Sequence, residues 1–173
     1  MQLIVVYETK KNAKTDGFYF NRYLDDVFPS LKGHIKKSAV YSGSKTRYAG
    51  ALKTIVALQK KYAFLHPNER QEILYCVDTD FGKEGALELN ERIASFCKEH
   101  GFRLVWFHRD IEEVFLGERV DKREKVQRAK RFACDRNGSY LSNAKRFEAK
   151  HFVSGNFGSS NLHSVLSQIF PKI

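Results

Sequence analysis

Two aspartates, Asp78 and Asp80, follow the apolar run EILYCV (72–77), and Glu8 follows a second such run, LIVVY (3–7). In extended chain, residues two apart point to the same side, so the carboxylates of Asp78 and Asp80 can converge. Two carboxylates about 4 Å apart repel by roughly 4 kcal/mol at an effective dielectric of about 20. A shared proton would offset that repulsion. So would Mg²⁺, a hard cation that prefers oxygen ligands. The other reading has Asp78 ending a strand and Asp80 capping the next helix, both facing water. The Asp-Thr-Asp triplet alone leaves both open. Glu8 stands in the same relation to LIVVY as Asp78 does to EILYCV. If those strands are neighbours, Glu8, Asp78 and Asp80 meet over one edge of a sheet, where functional groups of parallel sheets gather.

The elements that must position these acids follow from hydrophobic periodicity. LIVVY is a β-branched run of the kind buried on both faces. Residues 15–28 carry Phe20, Tyr23, Leu24 and Val27 at helical spacing, stopped by Pro29 and Gly33. HIKKSAVYS (34–42) contains a weaker strand. Lys45 to Phe64 reads as a long amphipathic helix with Leu52, Ile55, Val56 and Leu58 inward, ended at His66-Pro67. EILYCV is a third strand. Gly82 to His100 is a helix with Ala86, Leu89, Ile93 and Phe96 in one stripe, closed by Gly101. FRLVWF (102–107) is a fourth strand. The order βαβαβαβ predicts an α/β fold: a parallel sheet of about four strands with helices on both faces. This domain spans residues 1–117, and residues 118–173 form a basic, mostly helical extension packed on it. Within the extension the pattern predicts helices over Val120 to Arg136 and His163 to Phe170, with VSGNFGSSN (153–161) as a loop.

Charge separates the two parts. The 173 residues carry 30 Lys or Arg against 20 Asp or Glu, a net of +10. Residues 119–150 hold 11 Lys or Arg and 4 Asp or Glu, hence +7 by subtraction. Such an excess favours a polyanionic partner, most often nucleic acid, DNA or RNA. Arg128, Lys130 and Arg131 are candidate phosphate contacts, which predicts affinity that falls steeply with salt. Phe132, Tyr140, Phe147, Phe152 and Phe157 interleave the basic segment as core contacts or as stacking platforms. Lys10 and Lys11 could steer a polyanion toward Glu8. In SGSKTR (42–47), Lys45 and Arg47 open a helix that could hold a phosphate, although the spacing is not that of a Walker motif. His108 ends the fourth strand, as a surface residue or as a proton donor near the acids. Cys76, Cys97 and Cys134 are odd in number and widely spaced, which excludes a disulfide framework and a zinc ribbon. No apolar stretch is long enough for a membrane span, and the start of the chain does not read as a signal peptide, so a cytoplasmic protein is expected.

A strand ending in Glu, two crossovers, and a strand ending in DxD followed by glycine resemble the Toprim domain. The motifs here are VVYE, ending at Glu8, and CVDTDFGKEG, with Asp78 and Asp80. Within that superfamily the chain looks most like the RloB-like group and the OLD-type nucleases. Glu8 is followed by Lys14-Thr15 and Tyr19-Phe20, and RDIEEVFLG (109–117) looks like the glutamate-led helix after the fourth strand. The resemblance covers roughly residues 2–117. Thr9 stands where such proteins often have glycine, and the basic tail has no counterpart. The resemblance implies Mg²⁺- or Mn²⁺-dependent phosphoryl transfer on nucleic acid, in bacterial or phage-related defence or on a mobile element. It implies that Asp78 and Asp80 hold the metal and that Glu8 is a further ligand or a general acid/base. Glu112 would complete a second metal site, or it is simply helix N-terminal charge. A chain of this size could also depend on a partner such as an activating ATPase. The alternatives are a catalytically degenerate Toprim-fold nucleic-acid-binding protein and an α/β domain that binds a small phosphorylated ligand.

Overall fold

The computed structural model describes residues 1–10, 15–135, 137–150 and 158–171. Four parallel strands form one sheet: β1 (Gln2–Tyr7), β2 (Lys36–Tyr41), β3 (Gln71–Asp78) and β4 (Arg103–Phe107), in the order β2-β1-β3-β4. β1 and β3 lie side by side, with Tyr7 opposite Cys76 and Val5 opposite Leu74. The α/β fold expected from the sequence is the one observed, and it is Rossmann-like in layout.

The strand order explains where the helices lie. From β1 the chain steps one way to β2, then returns past β1 to β3 and on to β4. Crossovers of one hand must then put the first helix on one face and the next two on the other. Helix α1 (Thr15–Val27) packs Tyr19, Phe20, Tyr23 and Leu24 on the face formed by Leu3, Val5, Leu74 and Cys76. Helices α2 (Leu52–Leu65) and α3 (Ala86–Glu99) bury Ile55, Ile93 and Cys97 against Ile4, Val6, Ile73, Tyr75 and Val77 on the other. Both faces are therefore apolar, which is why LIVVY and EILYCV are continuous rather than alternating runs.

One helix cannot cover the first face over all four strands. The C-terminal half supplies the remainder: α4 (Ile111–Leu116), α5 (Lys125–Cys134), a 3-10 segment (Ser139–Phe147) and α6 (Leu162–Ile169). They contribute Val114, Phe115, Ala129, Phe132, Phe147, Leu162 and Leu166 to the same core as α1. Phe132 and Phe147 are buried there, so neither is a stacking platform for bases. Tyr140 packs against that core and donates its hydroxyl to Asp26, while Phe152 and Phe157 lie outside the described residues.

The same half closes one edge of the sheet. Ser160 bridges Phe107 in antiparallel fashion. Asn161 accepts from the Trp106 N–H and donates to the Leu104 carbonyl, both at 2.9 Å, as a neighbouring strand would. Gly158 makes this approach possible: its φ is +74°, and a Cβ there would stand 3.2 Å from the Glu113 carbonyl oxygen. The opposite edge, β2, exposes Lys36 and Lys37, charges that discourage edge-to-edge pairing.

Several boundaries differ from those expected. The helix expected from Lys45 begins as a 3-10 turn, Lys45–Ala51, kinked at Arg47, before α2. Val56 is exposed rather than inward. The helix expected from Gly82 starts at Ala86, because Gly82 and Gly85 both take positive φ in the turn that carries the chain off β3. Helix α5 begins five residues later than its pattern suggested, after the turn at Asp121–Glu124. Cys76 and Cys97 are buried free thiols, and Cys134 is exposed. Among the described residues no helix is long and apolar enough to cross a membrane.

Candidate functional site

The strand order reverses between the parallel neighbours β1 and β3, which opens a crevice at their carboxyl ends, the usual ligand position in open α/β sheets. Glu8 and Asp78 sit on its two lips. The Asp78 backbone N–H donates to Glu8 Oε1 at 3.3 Å, so the two strand-end acids are neighbours. Asp78 Oδ1 accepts the N–H of Ile111, at 2.9 Å, from the first residue of α4. The loop after β3 is fastened to the end of β4. Thr79 N–H donates to the Phe107 carbonyl (2.9 Å), Asp80 N–H to the Arg109 carbonyl (3.1 Å) and Arg109 N–H to Thr79 Oγ1 (2.8 Å). Asn90 of α3 donates to the Thr79 carbonyl at 2.9 Å from the other side. Asp80 (φ +53°) and Arg109 (φ +74°) both adopt left-handed backbone, a conformation that non-glycine residues mostly reserve for turns and functional sites.

The acids extend beyond the triplet. Asp16, in the first turn of α1, is buried and accepts from Thr15 Oγ1 at 3.1 Å. Glu112 is buried at the start of α4, and its Oε2 pairs with Lys125 Nζ at 2.7 Å. Asp110 caps α4 by accepting the Glu113 N–H and lies 3.9 Å from the same ammonium. Lys45 is buried, donates to the Asp78 carbonyl and stands 3.6 Å from Asp80 Oδ2. Lys83 also pairs with Asp80. Six carboxylates thus gather at this end of the sheet, with Lys45, Lys83 and Lys125 paired among them. Arg109, Arg119 and Lys122 join Asp80 and Asp110 around a neighbouring hollow.

The electrostatic consequence is a surplus of buried negative charge. Burial raises the Glu8 carboxyl to about 7, helped by Asp16 and Asp80 and opposed by Lys45. Burial raises Asp16 to about 6, with Glu112 adding to the shift. Asp78 is pushed well above the usual carboxylate range by burial, then by Glu8, Asp16, Glu112 and Asp110. Glu8 Oε2 is shielded from solvent and has no hydrogen-bond partner among the described residues. Burial alone would lower Lys125, yet its hydrogen bond to Glu112 and the nearby acids hold it above the ordinary lysine value.

Comparison with protein-family models, with curated proteins and with solved structures gives no match. What the crevice can do is therefore argued from its own atoms. Its donors are hard carboxylate oxygens, one of them without a partner among the described residues, buried close enough to raise one another, and that chemistry suits a hard divalent cation. Among the described residues no three His, Cys, Asp or Glu side chains stand as a preformed metal cage. The reason lies in the pairings: Asp80 is turned to Lys45 and Lys83, and Glu112 to Lys125.

The remaining sequence candidates fall in three places. Lys45 belongs to the acid cluster. Lys10, Arg47, Lys130 and Arg131 are exposed, with Arg128 half-buried between Glu118 and Glu124. Lys11 lies outside the described residues. His108 is buried, its ring 3.5 Å from Thr79 Oγ1 and packed on Phe81, with its pKa lowered by burial. Asp16 escaped the sequence reading although a signal existed. It lies three, four and seven residues before Tyr19, Phe20 and Tyr23, so it occupies the apolar stripe of α1. Lys125 gave no such signal, being one cation in a basic segment.

Proposed function

We propose that the protein is a metal-dependent nuclease of Toprim type, a phosphodiester hydrolase acting on nucleic acid. The observation that carries this reading is the meeting of Glu8 and Asp78 at the sheet reversal with their carboxyl pKa values raised, the mark of a site short of a cation. Mg²⁺ or Mn²⁺ would be held by Asp78, Asp80 and Glu8, with Glu112 and Asp16 as the nearest further carboxylates. When bound, such an ion neutralises charge at a phosphoryl group and acidifies a water. If Glu8 instead stays off the metal, its pKa of about 7 lets it hold or release a proton at neutral pH, as a general acid/base must. Lys45 and Lys125 keep the acids apart and oriented in the absence of substrate. The exposed cations Lys10, Arg47, Lys130 and Arg131, with the half-buried Arg128, would supply the phosphate contacts.

The pairing of Asp80 with Lys45 and of Glu112 with Lys125 favours a second reading, a nucleic-acid-binding protein whose site is catalytically silent. Labelled single- and double-stranded DNA and RNA, incubated with Mg²⁺ or Mn²⁺, separate the two. Cleavage that needs the metal and disappears in Asp80→Asn supports the nuclease. Salt-sensitive binding that is equal in both proteins, without cleavage, selects the silent binder. Failure to bind any nucleic acid at low salt removes both and leaves a domain for a small phosphorylated ligand.

A further inference from the structure

Helix α5 presents Lys125, Arg128 and Arg131 at intervals of three residues. Lys125 turns to Glu112 in the acid crevice, whereas Arg128 and Arg131 line a separate hollow of about 390 Å³. This hollow lies between α4, α5 and the 3-10 segment Ser139–Phe147, with Phe132, Ser139 and Tyr140 in its lining. Arg146 enters from the opposite wall, anchored by an Nη1 hydrogen bond to the Val114 carbonyl at 2.9 Å. Arg131 is exposed and makes no ion pair among the described residues. Asp135 also lines the hollow, and its Oδ1 accepts the Asn137 N–H at 2.9 Å. Three guanidinium groups and one carboxylate line the hollow, and Arg128 is also paired with Glu118 and Glu124, so the cations without an ion pair among the described residues are Arg131 and Arg146.

We propose that this hollow binds a phosphomonoester. A linkage inside a strand carries one charge, has a sugar on either side and is met well enough by exposed cations along a groove. A terminal phosphate carries nearly two charges and three acceptor oxygens, which suits several forked donors around a concavity. Two sources present that group: the end of a nucleic acid strand and a free mononucleotide. The strand end has geometry in its favour. Six residues of α5 separate Lys125 from Arg131, about 9 Å along the axis. A strand whose terminal phosphate sits in the hollow would bring a linkage two or three nucleotides inward to Glu112, at about 3.4 Å per stacked nucleotide. The strand-end form rests on the nuclease reading, since it makes the enzyme cut near ends. The phosphate site itself does not.

Short single strands identical except for a 5′-phosphate, a 3′-phosphate or hydroxyl ends test this by fluorescence anisotropy in EDTA. Nucleoside monophosphate and the bare nucleoside serve as competitors. One phosphorylated end should bind roughly tenfold tighter than the hydroxyl-ended strand, the size of one charge-assisted hydrogen bond. Arg131→Gln, at an exposed position, and independently Arg128→Gln should bring that ratio close to one. Lys130→Gln, outside the hollow, should weaken all strands alike. Monophosphate binding lost in Arg131→Gln, without any preference among strand ends, assigns the hollow to a free mononucleotide. Equal binding of all strand ends, together with no monophosphate binding, overturns the proposal even if metal-dependent cleavage is observed. A phosphate preference without any cleavage keeps the hollow and removes the nuclease.

Discussion

Asp78 illustrates how a residue can be kept at a cost to the fold. Its carboxyl is pushed up by burial and by Glu8, Asp16, Glu112 and Asp110, and its Oδ1 is already satisfied by the Ile111 N–H. Asparagine retains that acceptor and removes the charge. Asp78→Asn should therefore raise metal-free stability, by about 1–2 kcal/mol, while abolishing any stabilisation by Mg²⁺ and any metal-dependent cleavage. Thermal unfolding of both proteins with and without Mg²⁺ reads this directly; a variant less stable than the parent in EDTA would show that the site is not short of positive charge. The strand-end position of this acid and of Glu8 was legible in the sequence, because an apolar run that stops at a carboxylate marks both the strand and its end. Asp16 was legible only in hindsight, as an acid on an apolar helical stripe. The direction in which Lys45 and Lys125 turn was not, since a lysine in a basic, exposed-looking segment carries no information about which carboxylate lies across the fold.

At the scale of elements, the four strands and their intervening helices are written in hydrophobic period, and β1, β3 and α1 lie within a residue or two of where that period puts them. What period cannot supply is strand order, and order is what makes neighbours of Glu8 and Asp78. Nor does it show that the basic C-terminal half is a covering layer, because its buried residues are dispersed among cations: Ala129 and Phe132 in α5, Phe147 in the 3-10 segment. Asn161 is the sharpest case. A lone asparagine in a loop-like sequence replaces a strand at the free edge of β4, bonding Trp106 and Leu104 through one carboxamide. Asn161→Ala leaves a buried N–H and a carbonyl without those partners and should cost roughly 2–4 kcal/mol. Urea denaturation measures the loss, and amide exchange at Trp106 should accelerate relative to Val6 in the sheet centre. Unchanged exchange at Trp106 would mean that the edge is protected by other contacts.

For the whole molecule, the raised acids predict how stability depends on pH. Glu8 titrates at about 7 and Asp16 at about 6 in the folded chain, both above their ordinary values. Between those ordinary values and the folded ones, the folded state holds protons that the unfolded state has released, so lowering the pH through this window favours folding. Above about pH 7 both states are ionised, and only the folded one bears the crowded negative charge. His108 works in the opposite sense. Buried, with its pKa lowered, it disfavours the folded state once the pH falls below the ordinary histidine range. The raised carboxylates, Asp78 among them, outweigh one histidine, so metal-free stability should keep rising as the pH falls to about 5 and be highest near the ordinary carboxylate values. Stability should fall by on the order of 2–4 kcal/mol toward pH 8, or roughly 5–15 °C in melting temperature. A divalent ion binds the ionised site and only in the folded state, so Mg²⁺ should stabilise most at high pH and flatten the profile. Melting curves at pH 5.5 and pH 8, in EDTA and in Mg²⁺, decide the matter. A flat profile in EDTA would refute the charge surplus, and a steep one that Mg²⁺ leaves unchanged would separate the acid cluster from metal binding. The latter result would leave Lys45 and Lys125 as the cations with which the crevice is complete.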